Sequence, residues 1–168
     1  MCPSKTFIDF HKQFHLSKIQ DFANGFRALA FCPISVARVI LIGACMNRIE
    51  ANAFAANWIR AWNKKDVDAV LEHYVEDAKF ISPKAASLVG NPVIEGKKAL
   101  SEYWHLAAKK IEKIEFKLDH IVWDSDSNDL IIFYEANLNG VCSRACEAMK
   151  FDSSGRQVSG EAMYGALI

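Results

Sequence analysis

From Ala51 onward the apolar residues recur with helical spacing. Ala51, Phe54, Ala55, Trp58, Ile59 and Trp62 fall on one stripe, which predicts a first helix with one apolar face. The polar run Asn63-Lys64-Lys65-Asp66 ends it. Asp66 is placed to cap a second helix, whose stripe is Val67, Val70, Leu71, Tyr74 and Val75. The period then switches to two. Ala78, Phe80 and Ser82 share one face of a short strand that Pro83 stops. Residues 83–96 carry two prolines and two glycines and read as a loop. A third helix is expected from near Gly96, burying Leu100, Tyr103, Trp104, Ala107 and Ile111.

The C-terminal half alternates. Four strands are predicted, at Glu115–Trp123, Leu130–Leu138, Val141–Phe151 and Arg156–Gly165. Asn139-Gly140 is a strong two-residue hairpin signal, because both residues tolerate the positive φ that such a turn demands. Helices come first and antiparallel strands last. The class is therefore α+β, with helices packed on one face of a curved, mainly antiparallel sheet.

The Asn-Gly turn also sets a register. Leu138 faces Val141, Glu135 faces Arg144, Tyr134 faces Ala145 and Ile132 faces Glu147. Opposed residues share a sheet face. Glu147 is thus the single acid on a face that also holds Ile132, Tyr134, Ala136 and Met149. Burying a carboxylate is costly unless it is paired or neutralised. If Phe151 pairs with Arg156 across the Asp-Ser-Ser-Gly turn, Gly160 falls opposite Glu147 and Tyr164 opposite Ser143. Gly160 is then expected to leave open space beside the carboxyl. Apolar walls, one acid, a tyrosine and a gap describe a pocket.

Composition narrows this reading. The 168 residues are 51% hydrophobic and 24% charged with a formal net charge of +0, as for one ordinary domain able to bury a core. The neutral balance gives no reason to expect nucleic acid. Five cysteines show no C-x-x-C spacing, and Cys142 and Cys146 stand too far apart along one strand to bridge. A reducing, cytoplasmic setting without a structural metal is expected. No P-loop or dinucleotide fingerprint is present, so no cofactor is expected.

Charge and pattern both change near Met46. Residues 1–45 hold five Lys or Arg and two Asp, a net of +3, and show no clean period; residues 46–168 net −3. Three readings compete for the first segment. "ALAFCPISVARVILIGAC" is apolar enough for an export or membrane segment, but Pro33 and Arg38 interrupt it. "IGAC" resembles a lipoprotein cleavage box behind an over-long leader. The preferred reading is an N-terminal extension of unassigned status (1–45) ahead of a folded unit (46–168), with no membrane association.

The ordered set "NWIRAWNKKDVDAVLEHYVEDAKFISP", "VIEGKKALSEYW" and "AMKFDSSGRQVSGEAMYG" resembles the SnoaL-like, ketosteroid-isomerase-like branch of the nuclear transport factor 2 superfamily. The resemblance implies a cone-shaped half-barrel, with three N-terminal helices packed on the concave face of the sheet around a ligand cavity. It also implies roles. Ser82 stands where the isomerases carry their general base, and Trp58 where they carry a tyrosine donor. Glu147 matches the second, carboxylic donor in type. Tyr74 matches a supporting tyrosine on the second helix, and Trp104 an aromatic on the third.

Glu147 is the leading catalytic candidate, as a carboxyl whose pKa burial would raise. His120 shares alternation with Phe116, Leu118 and Val122 and is expected to face inward as its partner. The predicted pocket wall is Trp58, Trp62, Tyr74, Phe80, Ser82, Trp104, Tyr134, Met149 and Tyr164. Ile131, Phe133, Cys142, Cys146 and Met163 make the opposite sheet face unusually apolar, which predicts a homodimer there. Two function classes stay open. One is an acid-base isomerase, cyclase or dehydratase acting on a small, largely apolar compound. The other is a non-catalytic ligand-binding or interaction module that has lost the base.

Overall fold

A capping box starts the first helix of the computed structural model, which describes residues 46–168; the readings of residues 1–45 lie outside the described residues. The Asn47 side chain accepts from the N–H groups of Ile49 (2.9 Å) and Glu50 (3.0 Å), and Glu50 accepts from the Asn47 N–H at 2.8 Å. Helix α1 (Arg48–Asn63) then buries Ala51, Ala55, Trp58 and Ile59. Asp66 caps α2 (Val67–Leu71) by accepting from the Ala69 N–H at 3.1 Å. There follow β1 (Tyr74–Ile81), α3 (Pro83–Val89), β2 (Val93–Glu95), α4 (Lys97–Lys110), β3 (Ile114–Asp124), β4 (Asp129–Leu138), β5 (Val141–Phe151) and β6 (Gln157–Leu167).

The six strands form one curved, unclosed sheet in the order β2-β1-β6-β5-β4-β3. Every neighbouring pair is antiparallel except β1 with β6. Helix α1 packs against β3 and α4 against β1, so the α+β class expected from the pattern is what the chain adopts. Asn63 fastens the end of α1 to β3: its amide donates to the Phe116 carbonyl (2.9 Å) and accepts from the Phe116 N–H (2.6 Å). No helix among the described residues is long and apolar enough to cross a membrane.

The Asn139-Gly140 register is as expected, with Ile132 opposite Glu147 and Tyr134 opposite Ala145. The next hairpin differs. Asp152 organises its own turn, accepting from the N–H groups of Ser154 (2.8 Å) and Arg156 (2.9 Å), with Gly155 at φ 77°. A bulge follows at the start of β6, and the pairing slides by two residues from the expected one. Gly160 therefore faces Met149, Ala162 faces Glu147 and Tyr164 faces Ala145. A slide of two keeps every side chain on its predicted face but changes its neighbours.

Two further expectations change. The second helix stops at Leu71, and Tyr74 opens β1 instead. The strand wins there because the Gln157 N–H donates to the His73 carbonyl (2.8 Å) and the Arg156 guanidinium reaches the Tyr74 carbonyl (2.7 Å). The expected loop at 83–96 contains α3 and β2. Ser82 caps α3 ahead of Pro83, and Gly90 ends it at φ 80°, a Pro-first, Gly-last pattern that favours a helix. The sheet thus carries four helices, one more than expected. Glu135 and Arg144 face each other as expected, but their ion pairs lie elsewhere: Arg144 binds Asp119 at 2.6 Å, and Lys117 lies 3.6 Å from Glu135.

Candidate functional site

The concave face of the sheet and the helices over it enclose a cavity of about 240 Å³. Its floor is the inner face of β4, β5 and β6, from which Tyr134, Glu147, Ala162 and Tyr164 project. Helix α1 supplies Trp58 and Trp62, and α4 supplies Tyr103, Trp104 and Ala107. The rings interlock. Trp62 meets Trp104 edge-on at 5.2 Å, Phe80 meets Trp104 at 5.1 Å, and Trp58 meets Tyr134 at 5.4 Å. Such edge-to-face packing holds a rigid, dry wall.

Glu147 lies at the bottom, 3% exposed. Among the described residues no hydrogen bond or ion pair engages its carboxyl. Burial, and then the negative charge of Glu161, push it up to about 8. It is accordingly a neutral acid at pH 7, about ten to one in favour of the protonated form. The phenols around it stay protonated too. Burial first and the nearby Glu147 charge second raise Tyr134 and Tyr164, and burial raises Tyr103.

Ser82 is 1% exposed. Its oxygen accepts from the Lys84 N–H at 3.2 Å as the cap of α3, and its hydroxyl lies near the phenols of Tyr103 and Tyr164, whose pKa values it lowers slightly against burial. A serine so occupied is a poor proton acceptor. The indole N–H groups of Trp58 and Trp62 are buried without a partner among the described residues. The arrangement is a set of donors around one carboxyl able to give a proton and take one back near neutral pH.

Trp58, Trp62, Phe80, Ser82, Trp104, Tyr134 and Tyr164 line the cavity alongside Glu147. Tyr74 does not. It is fully buried behind the wall, where its hydroxyl accepts from the Gln157 amide at 2.6 Å. That hydroxyl occupies the space expected to stand open at Gly160: a Cβ there would lie 2.6 Å from it. Glycine is required because Tyr74 comes so close. Met149, opposite Gly160, lies outside the cavity as well. His120 sits on the other side of the sheet. A bulge between Leu118 and His120 breaks the alternation, so His120 pairs with Phe133, stacks on its ring at 4.5 Å, and lies 3.2 Å from Asp119.

Tyr103, Phe116, Lys84 and Lys110 are wall residues that the candidate set omits. Tyr103 was visible as part of the buried stripe of the third helix. The two lysines carried no signal, because a lysine in a polar stretch reads as surface.

The family model of the SnoaL-like domain matches residues 55–160, which include the second half of α1, all of α4, most of the cavity wall and Glu147. The chain belongs to the SnoaL-like domain family. Solved structures agree with the assignment. A SnoaL-like protein of unknown function from Burkholderia thailandensis is 26% identical with a TM-score of 0.65, covering 73% of this chain and 100% of its own. A protein of unknown function with a cystatin-like fold, from Methylobium petroleophilum, is 18% identical with a TM-score of 0.60, over 73% and 80% of the two chains. The epoxide hydrolase/cyclase-like enzyme SalBIII, of pyran ring formation in the polyether salinomycin, is 22% identical with a TM-score of 0.57, over 71% and 93%. No curated protein matches the sequence. In this SnoaL-like chain, then, the fold frames a cavity while the chemistry rests on the residues lining it.

Proposed function

We propose that this SnoaL-like protein binds a small, largely apolar compound and rearranges it by acid-base chemistry, with Glu147 as the proton donor. The observation that carries the reading is a buried, proton-bearing carboxyl without a hydrogen-bond partner at the bottom of an aromatic cavity. A ligand carbonyl or ether oxygen placed there receives its O–H. The carboxylate left behind can recover a proton from a hydroxyl or acidic C–H of the same molecule. One residue then serves as acid and base in turn, so an isomerase, cyclase or dehydratase step needs no second base. The likeness to SalBIII makes oxygen-ring closure the class to try first. Occupation of Ser82 as the cap of α3 favours the alternative, a binding protein without turnover.

Camphor, an apolar cage with one carbonyl, tests the donor. Binding is read from tryptophan fluorescence, since Trp58, Trp62 and Trp104 line the wall. Glu147→Gln keeps a donor and retains part of the affinity, whereas Glu147→Ala loses roughly 1–3 kcal/mol for the unmet oxygen. Native binding weakens as pH rises through about 8, and Glu147→Gln binding does not. Unchanged affinity and pH profile in both variants would reject the donor role.

The same reading includes assembly. Phe133, Cys146 and Met163 lie on the convex face, where Met163 is 40% and Val122 50% exposed. A second copy of the chain covering that face forms a homodimer with its two cavities facing away from the contact.

A further inference from the structure

The cavity has one acidic lining residue, Glu147, and two basic ones, Lys84 and Lys110. They occupy opposite ends. Glu147 is buried, whereas both lysines are exposed and so stand at the mouth. Lys84, in the first turn of α3, holds its ammonium 3.9 Å from the centre of the Tyr164 ring. Lys110 ends α4, where Lys109 already supplies a cation to that helix terminus. Among the described residues neither ammonium has an ion-pair partner. With Glu147 protonated, nothing negative lines the cavity to balance them.

We propose that the ligand is an amphipathic anion, whose apolar body fills the aromatic chamber and whose carboxylate is held at the mouth by Lys84 and Lys110. The inference rests on the reading of Glu147 as donor to an oxygen at the inner end, and it adds the substrate class: an oxygenated, cyclic or compact carboxylic acid. Lys84 suits the task because, although the residue as a whole is exposed, the packing of its ammonium over Tyr164 removes part of its hydration, which lowers its pKa. An incoming carboxylate restores what that packing took away. The cavity volume of about 240 Å³ suits a compact body better than a long chain.

Pinonate, a bulky cyclic keto acid, and its methyl ester, a neutral ketone of nearly the same shape, separate the two ends. Both are titrated by calorimetry into the native protein, Lys84→Met, Lys110→Met, the double variant and Glu147→Ala. Pinonate is expected to bind roughly tenfold tighter than the ester at low salt, the worth of one charge-assisted hydrogen bond. Added salt shrinks that ratio. Each lysine variant lowers pinonate affinity severalfold and leaves ester binding unchanged, and the double variant brings the acid-to-ester ratio to about one. Glu147→Ala weakens both probes and leaves the ratio intact. An acid-to-ester ratio of one in the native protein, a preserved ratio in the double variant, or no binding of either probe overturns the anionic mouth. A ratio that follows the lysines while Glu147→Ala binds both probes normally supports the mouth and removes the donor reading.

Discussion

On the convex face of the sheet, Asp119 lies 2.6 Å from Arg144 and 3.2 Å from His120; on the concave face, Glu147 has burial for company and no partner. The hydrogen bond from Arg144, then that from His120, holds the Asp119 carboxyl below its usual range. Burial drives Glu147 the other way. Two other convex-face acids also have a cation nearby: Glu135 lies near Lys117 (3.6 Å) and Asp129 near Lys150 (3.3 Å). One sheet thus presents carboxyls in two states. These convex-face acids lie beside cations at the surface, where an ion pair contributes little to stability. The concave one is buried and neutral, which costs folding free energy at high pH.

The largest expected effect tests that cost directly. Glu147 binds a proton more tightly in the folded chain (about 8) than in the unfolded one (4.5), so the folded state carries more protons between these values. Stability therefore falls as pH rises from 4.5 through about 8 and is lowest above it. Glu147→Gln has no such proton to lose. At pH 9 it should be more stable than the native protein by on the order of 3–5 kcal/mol, with the gap closing toward pH 5. Urea melts across this range measure it. Parallel native and variant curves would show that Glu147 has no raised pKa and that the two faces treat acids alike.

The next effect separates the faces by what covers them. If the convex face is a homodimer contact, Phe133→Glu places a charge in its middle and converts the dimer to monomer at micromolar concentration. The fold and the cavity remain, because Phe133 is on the far side of β4 from Tyr134 and Ile132. Sedimentation velocity on native protein and variant decides. A native monomer, or a variant that sediments as the native dimer does, removes the assembly and leaves the convex face uncovered.

The two faces also differ in how well they could be read. Glu147 was legible because Asn139-Gly140 permits one register, and that register put Ile132 opposite it. Gly160 and Tyr164 were misplaced by two residues because the Asp152 turn and its bulge depend on side-chain hydrogen bonds that alternation does not encode. His120 was assigned to the wrong face for a similar reason, since one bulge at Asp119 reverses every later residue of β3. Tyr74 followed a helical stripe that the parallel pairing with β6 overrode, and its true role, filling the space over Gly160, needed three dimensions to see. The cavity's aromatic wall came through because a buried stripe fixes position whichever element carries it. Its lysines did not, because nothing in a linear pattern marks a charge as facing a cavity mouth.

The smallest effect is expected at Asp119, and its sign is the useful part. Asp119 is solvent-exposed and its folded-state carboxyl is held below the usual value, chiefly by Arg144. Its contribution is therefore present above the unfolded pKa and fades as pH falls through the folded one, opposite in direction to that of Glu147. Exposure and salt screening keep it small. Asp119→Asn should leave the melting temperature at pH 7 close to native and should alter the stability curve only on its acid side, below the range in which Glu147 titrates. The carbon-detected titration of Glu147 should not move, since the two carboxyls project from opposite faces of the sheet. A large loss of stability at pH 7 would mean that the Asp119–Arg144 pair is sequestered from solvent, as it would be under a second subunit. Repeating the measurement with Phe133→Glu, in which that cover is removed, then shows whether the pair gains its weight from the dimer or from the sheet itself.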